Sequence, residues 1–180
     1  GHDPELFNDS VRNNVLLGDD YDVFEYLRAV CMDKEVEAME QGADTIIGSE
    51  GIRLSGGQAQ RIALARTLCH KKLVLVLDDP FSALDRNTEE QIYKKLKDMA
   101  SDNIVILISH RLYMFPKMDK VIWMDAGKAN VGTHKELMLE CPGYRKMYET
   151  VSVEECRAVE TENEGLAAAK VVENSRRVVD

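Results

Sequence analysis

Four short segments of this chain combine residue types and spacings that could do chemistry. Leu54-Ser55-Gly56-Gly57-Gln58 opens a predicted helix. A serine hydroxyl followed by unhindered glycine N–H groups at a helix N-terminus makes an anion site, because the amides point outward and the helix dipole favours negative charge. Asp78 and Asp79 follow five apolar residues. A carboxylate at the end of such a strand could hold magnesium beside phosphate groups, and the next could orient or polarise an attacking water. Ser82-Ala83-Leu84-Asp85 comes directly after. His110 follows a second apolar run, so its imidazole would emerge at the same strand ends and could touch a terminal phosphate. Each segment has a plainer reading: a Ser-capped helix, a strand-ending turn, a loop presenting Asn87 as a cap, and a structural histidine.

The elements that must carry these segments can be read from periodicity. Residues 1 to about 50 read as short polar helices: one capped by Asp9 or Ser10 through Leu17 and stopped by Gly18, one over Tyr21–Met32, one over Glu35–Gln41 stopped by Gly42. Ser55–Cys69 follows as a longer helix, with Ala59, Ile62 and Ala63 on one face. The texture then changes. Leu73–Leu77 and Ile104–Ile108 are continuous apolar runs, the pattern of strands buried on both faces of a parallel sheet. Between them, Thr88–Ala100 reads as a helix with Asn87 and Glu90 forming a capping box. Val121–Met124 and Lys128–Val131 flank an Asp-Ala-Gly turn as a hairpin, and His134–Glu140 and Tyr144–Glu149 read as closing helices. Strand, helix, strand in this order is an α/β arrangement, with ligands expected at the carboxyl ends of the strands. Residues 151–180 lose the periodicity and read as a flexible acidic tail.

Composition narrows the function classes. The 180 residues carry a formal net charge of −9, which argues against direct nucleic-acid binding. Cysteines at 31, 69, 141 and 156 form no CxxC or Cys/His cluster, so a zinc site is not expected and a reduced compartment is. The apolar runs are strand-sized, too short for direct membrane insertion. The chain opens Gly1-His2-Asp3-Pro4 without methionine or signal peptide and reads as an excised or truncated segment.

Taken in order, the motifs resemble the ATP-binding cassette (ABC) family. LSGGQAQR at 54–61 is similar to its signature motif, LVLVLDDP at 73–80 to its Walker B strand, SALD at 82–85 to its D-loop, and Ser109-His110-Arg111-Leu112 to its switch-histidine segment. Pro4-Glu5-Leu6-Phe7 with Val11-Arg12-Asn13-Asn14-Val15, the stretch Thr45–Gly51, the run Gly132–Leu137 and Tyr144 resemble exporter-type cassettes, although Ser49 and Glu50 depart from the common residues. The resemblance implies a partial P-loop NTPase fold of the α/β class. Residues 1–70 would be a helical signature subdomain. Residues 71–150 would be the C-terminal part of the catalytic core, a mostly parallel sheet with flanking helices and a C-terminal hairpin.

It also implies a mechanism. In this family two cassettes pair head to tail, each ATP lying between one subunit's phosphate loop and the other's signature. Leu54, Ser55, Gly56, Gly57 and Gln58 would then serve an ATP held by a second cassette, and Asp85 would communicate across the pair. Asp78 would hold Mg2+, Asp79 would stand in the catalytic position, and His110 would touch the γ-phosphate. The implied partners are that second cassette, identical or different, and a transmembrane domain. The implied location is the cytoplasmic face of the cell membrane.

Two departures matter. No G-x-x-x-x-G-K-[ST] phosphate loop occurs in the 180 residues, and His2 falls where the family usually has glutamine. Asp79 replaces the usual catalytic glutamate and is one methylene shorter, so hydrolysis on this subunit's own side is expected to be slow. The expectation is an exporter-type transport ATPase domain, inactive as this isolated piece. The alternatives are a soluble, non-transport cassette ATPase and a non-catalytic remnant that serves as a dimerisation surface.

Overall fold

The structure is a computed structural model that describes residues 5–99 and 103–151. The chain divides into two compact units, Gly1–Ser109 and His110–Asp180.

The first unit begins with a short β1 (Asp9–Ser10) and α1 (Val11–Leu16). Of the two candidate caps it is Ser10 that works, its hydroxyl accepting the Asn13 N–H at 3.0 Å. The helix ends as the sequence suggests, with Leu17 and Gly18 both at positive φ. The next two helices are shorter than expected. Asp22 caps α2 (Val23–Ala29), leaving Tyr21 exposed ahead of it, and the positive φ of Cys31 rules out continuation to Met32. The segment expected as Glu35–Gln41 begins earlier, as α3 (Asp33–Glu37), and gives way to a 3₁₀ turn over Gly42–Asp44.

A two-residue β2 (Ile46–Ile47) pairs antiparallel with β1. The 14-residue α4 (Gly56–Cys69) then packs across α1 and α2. Val11, Val15, Leu27, Met32, Val36, Ile62 and Ala65 are fully buried between these helices. Each large aliphatic side chain removed from water in this way contributes about 1.5–3 kcal/mol.

Polar residues complete the joint. The Arg66 guanidinium on α4 donates to the Asn14 carbonyl at 2.6 Å, the Asn14 side-chain oxygen at 2.7 Å and the Glu5 carbonyl at 3.0 Å. Its partner Asn14 is fully buried and donates in turn to the Phe7 and Ser10 carbonyls.

Beyond α4 come β3 (Val74–Asp78) and β4 (Ile104–Ile108), paired in parallel from Val74↔Ile104 to Asp78↔Ile108. Parallel pairing agrees with the apolar pattern, but burial on both faces does not. Leu75 and Leu77 turn inward, whereas Val76 is 56% and Ile104 57% exposed, with Val74 and Ile108 beside them also exposed. The strands need two covers and have one. Between them, α5 (Arg86–Met99) is capped by Asp85 rather than Asn87: the Asp85 carboxylate accepts the Thr88 N–H at 3.0 Å and the Thr88 hydroxyl at 2.6 Å. Phe81 and Leu84 are buried in the turn that precedes it. The tip of this helix expected at Ala100 lies outside the described residues.

The second unit is built on a hairpin, β5 (Val121–Asp125) and β6 (Lys128–Gly132), turned at Ala126 and Gly127 with positive φ at both. Thr133 and Glu136 form a capping box at α6 (His134–Glu140), and a last helix, α7, spans 142–151. Tyr144 is fully buried among Val121, Leu137, Phe115 and Trp123, and its hydroxyl lies 2.7 Å from His134 Nδ1. Burial pushes the His134 pKa down and raises that of Tyr144 to about 12. Among the described residues no helix is long and apolar enough to cross a membrane. The expected tail lies outside the described residues from residue 152 onward, as does the segment holding His2.

Candidate functional site

The first unit brings three of the four sequence segments together around the N-terminus of α4. Ser55 is its N-cap: the hydroxyl accepts the Gln58 N–H at 3.2 Å, and the Gln58 side chain accepts the Ser55 N–H at 2.9 Å. That box consumes the Gln58 backbone N–H but leaves the Gly56 end of the helix facing outward. Ser55 and Gly56 are exposed, and Leu54, Gly57 and Gln58 are half-buried. The glycines serve different ends. A Cβ on Gly56 would meet only the Ala83 methyl at 3.9 Å, whereas one on Gly57 would come within 2.8 Å of the Ala83 carbonyl oxygen. Gly56 keeps the helix N-terminus bare, and Gly57 lets the 82–85 segment approach the helix backbone.

The base of this helix end is buttressed from α3. Glu35 accepts from the Gln58 amide at 2.8 Å and from Arg61 at 2.7 Å, while Arg61 also donates to the Cys31 carbonyl at 2.8 Å. Burial works against the Glu35 carboxylate, but the hydrogen bonds from Arg61 and Gln58 outweigh it and hold its pKa below the usual range.

The strand-end carboxylates are arranged differently from each other. Asp78 closes β3 and is exposed. Asp79 is half-buried, adopts the left-handed conformation at φ 45°, and donates its N–H to the Ile108 carbonyl at 2.8 Å. A non-glycine residue held there is strained, by about 1–3 kcal/mol, and strain of this kind concentrates at functional sites. Asp85 is committed to capping α5, and its hydrogen bonds from Thr88 pull its pKa below the ordinary carboxylate value. His110, the fourth segment, opens the second unit and is exposed.

Four residues essential to this arrangement were not singled out by sequence reasoning: Gln60, Arg61, Arg66 and Glu35. Gln60 lies inside the quoted 54–61 segment, yet nothing in its spacing separates it from an ordinary solvated glutamine. Its partners are about twenty residues away and meet it only in the folded chain. The loop 45–51 is likewise defined by tertiary contacts. A Cβ on Gly51 would fall 2.3 Å from the Ile46 carbonyl oxygen, and Gly48, at positive φ, sits 3.0 Å from the Asn8 backbone by the same measure. The tight closure leaves Ser49 and Glu50 on the outside.

The arrangement leaves a capped helix N-terminus open at Gly56, a geometry in which backbone N–H groups can meet an anion. An Mg2+ ion fits the donor set, since it takes one or two hard carboxylate oxygens and completes its shell with water and phosphate oxygens. An all-protein metal cage does not: among the described residues no group of three or more His, Cys, Asp or Glu is poised to hold one.

Comparison with known proteins agrees with the motif order. The sequence model of the ABC transporter family matches residues 2–82. The chain is 38% identical over 149 residues to an ATP-dependent lipid A-core flippase of Alcanivorax borkumensis, covering 79% of this chain and 26% of that protein. It is 38% identical over 154 residues to the ABC transporter ATM1 of Toxoplasma gondii, covering 82% of this chain and 14% of that protein. Among solved structures, a bacterial Atm1-family ABC exporter with ATP bound superposes with a TM-score of 0.75 at 32% identity, covering 82% of this chain and 27% of that one. The chain thus spans about a quarter or less of the proteins it matches. On sequence and fold together, this chain belongs to the ABC transporter family, as part of an exporter-type ATP-binding cassette.

Proposed function

We propose that this chain serves the ATP-driven motor of an exporter, acting chiefly on a nucleotide held by a second cassette. The observation that carries this reading is the α4 N-terminus: a capped 14-residue helix whose first glycine is open to solvent. Ser55, Gly56 and Gly57 would bind the γ-phosphate of that ATP, flanked by Leu54 and Gln58. Asp78 would hold Mg2+ through water, Asp79 would orient the attacking water, and His110 would contact the γ-phosphate. The ion supplies charge neutralisation of the phosphates when bound. The protein's part is positioning and electrostatic stabilisation of an in-line attack. The bonds between Asp85 and Thr88 support a role for Asp85 in fixing the segment that faces the partner.

The division into residues 1–70 as signature subdomain and 71–150 as the later part of the core follows from this reading, as does a cytoplasmic position beneath a transmembrane domain. The exposed Ser49–Glu50 tip of the 45–51 loop suits contact with that domain. The short side chain of Asp79 favours a slow site on this subunit's own side and hence a partner cassette that differs from it. The 180 residues contain no phosphate-loop motif, so this chain alone is expected to bind ATP weakly and not to hydrolyse it.

The deciding experiment is ATP hydrolysis by the assembled transporter with Ser55→Arg, which places a bulky cation at the open helix end. Activity should fall to background. Hydrolysis at the unmodified rate would rule the signature role out and leave a soluble cassette ATPase or a pairing remnant as the better account.

A further inference from the structure

Gln60 sits one turn into α4, and its side-chain amide spends its donors and its acceptor on the strand-end region. Nε2 donates to the Asp79 carbonyl at 3.1 Å and to the Ser82 hydroxyl at 2.9 Å, and Oε1 accepts the Ala83 N–H at 3.0 Å. One neutral amide therefore ties the signature helix to the peptide that follows the strained Asp79 and to the first two residues of the 82–85 segment. A second, independent tie lies one turn earlier, where Gly57 and the Ala83 carbonyl approach too closely for any side chain at 57. Between them the two ties leave the 79–83 turn little freedom to shift without α4.

We infer that Gln60 is a positioning residue, holding Asp79 and the Ser82–Ala83 turn in register with the phosphate-binding end of α4. The inference rests on the proposed function and adds a coupling to it. Engagement of a phosphate at Gly56 on a partner's nucleotide, and the placement of Asp79 toward this subunit's own nucleotide, become one rigid-body event rather than two. The chemistry suits the task. An amide can donate to a carbonyl and accept from an N–H at once, which neither a carboxylate nor an aliphatic side chain can do. Gln60 does not touch the reacting atoms and acts only through Asp79 and the Ser82–Ala83 turn.

Two isosteric substitutions separate the parts of the brace. Gln60→Met removes all three hydrogen bonds. Gln60→Glu keeps the acceptor for Ala83 N–H but turns a carboxylate toward the Asp79 carbonyl. In the 180-residue chain, amide hydrogen exchange at Ala83 should accelerate roughly tenfold in Gln60→Met, the weight of one lost hydrogen bond. It should stay slow in Gln60→Glu. In the assembled transporter both variants should lower kcat at this subunit's own, already slow nucleotide, read by single turnover, about tenfold through a misplaced Asp79, with KM for ATP within about twofold because the Gly56 end is untouched.

Ala83 exchange in Gln60→Met equal to that of the parent chain overturns the brace. A brace confirmed by exchange, with kcat unchanged in both variants, overturns the coupling. Ser55→Arg serves as the separate arm. Full hydrolysis with that substitution would sink the functional reading, while the exchange result would still decide for or against the brace.

Discussion

The helical part of the first unit and its parallel strand pair solve the same burial problem with opposite completeness. Between α1, α2 and α4 the apolar side chains are enclosed, and the polar groups that enter with them, such as Asn14 and Arg66, are hydrogen-bonded. In β3 and β4 every second side chain is exposed, and all of these but Asp78 are apolar. The difference follows from periodicity. A helix needs only one apolar stripe covered, which its neighbours in sequence can do, whereas an all-apolar strand requires a layer on each face. The helical part closes within some seventy residues of chain, while the strands expose a face that further protein would have to cover.

The largest expected effect tests the closed side. Leu27→Ala, at a fully buried position, should cost about 2–5 kcal/mol by urea denaturation. A cost under about 1 kcal/mol would mean that the helical core is loosely packed. Arg66→Met keeps much of the volume but strands the Asn14 carbonyl and leaves its side-chain oxygen with the Phe7 N–H alone. A loss of about 1–3 kcal/mol is expected, because a buried carbonyl is left without its donor.

Asp85→Ala, which removes the cap of α5, should cost about 1 kcal/mol. Its pH dependence has a definite sign. The Thr88 hydrogen bonds depress the Asp85 pKa in the folded state. Its contribution is therefore present above the unfolded value of about 3.9 and lost as pH falls through the folded one. Thermal melts of parent and variant should converge below that range; a gap that persists at lower pH would show that the carboxylate charge is not what caps the helix.

The smallest effect on stability belongs to the open side. Val76→Thr, at a position 56% exposed, should change stability by no more than about 0.5 kcal/mol while reducing self-association in light scattering. If Val76→Thr destabilised as much as Leu27→Ala, the contrast between the two regions would be false.

Much of this was legible in the chain itself, because the signals are local. Ser10 and Ser55 as caps, Gly18 after the first helix, the Asp-Ala-Gly hairpin and the parallel character of the two apolar runs each depend on a few consecutive residues. The cap of α5 shows where locality fails. Asp85 with Thr88 and Asn87 with Glu90 are both acceptable N-terminal patterns, and the folded chain takes the first, with Phe81 and Leu84 buried in the turn just before it. Cys31 shows the same for helix length, since its left-handed backbone is imposed where α2 turns toward α3 and Arg61 seizes its carbonyl.

The sequence by itself determined the family, the order of the four chemical segments and the class of fold, since those reside in residue types and short spacings. Only the tertiary structure decided which strand face is open, that Gly56 and Gly57 serve different ends, and that Gln60 joins the signature helix to Asp79 and the turn beyond it. Those facts depend on groups far apart in sequence meeting within about 3 Å, the distance at which hydrogen bonding and steric exclusion operate.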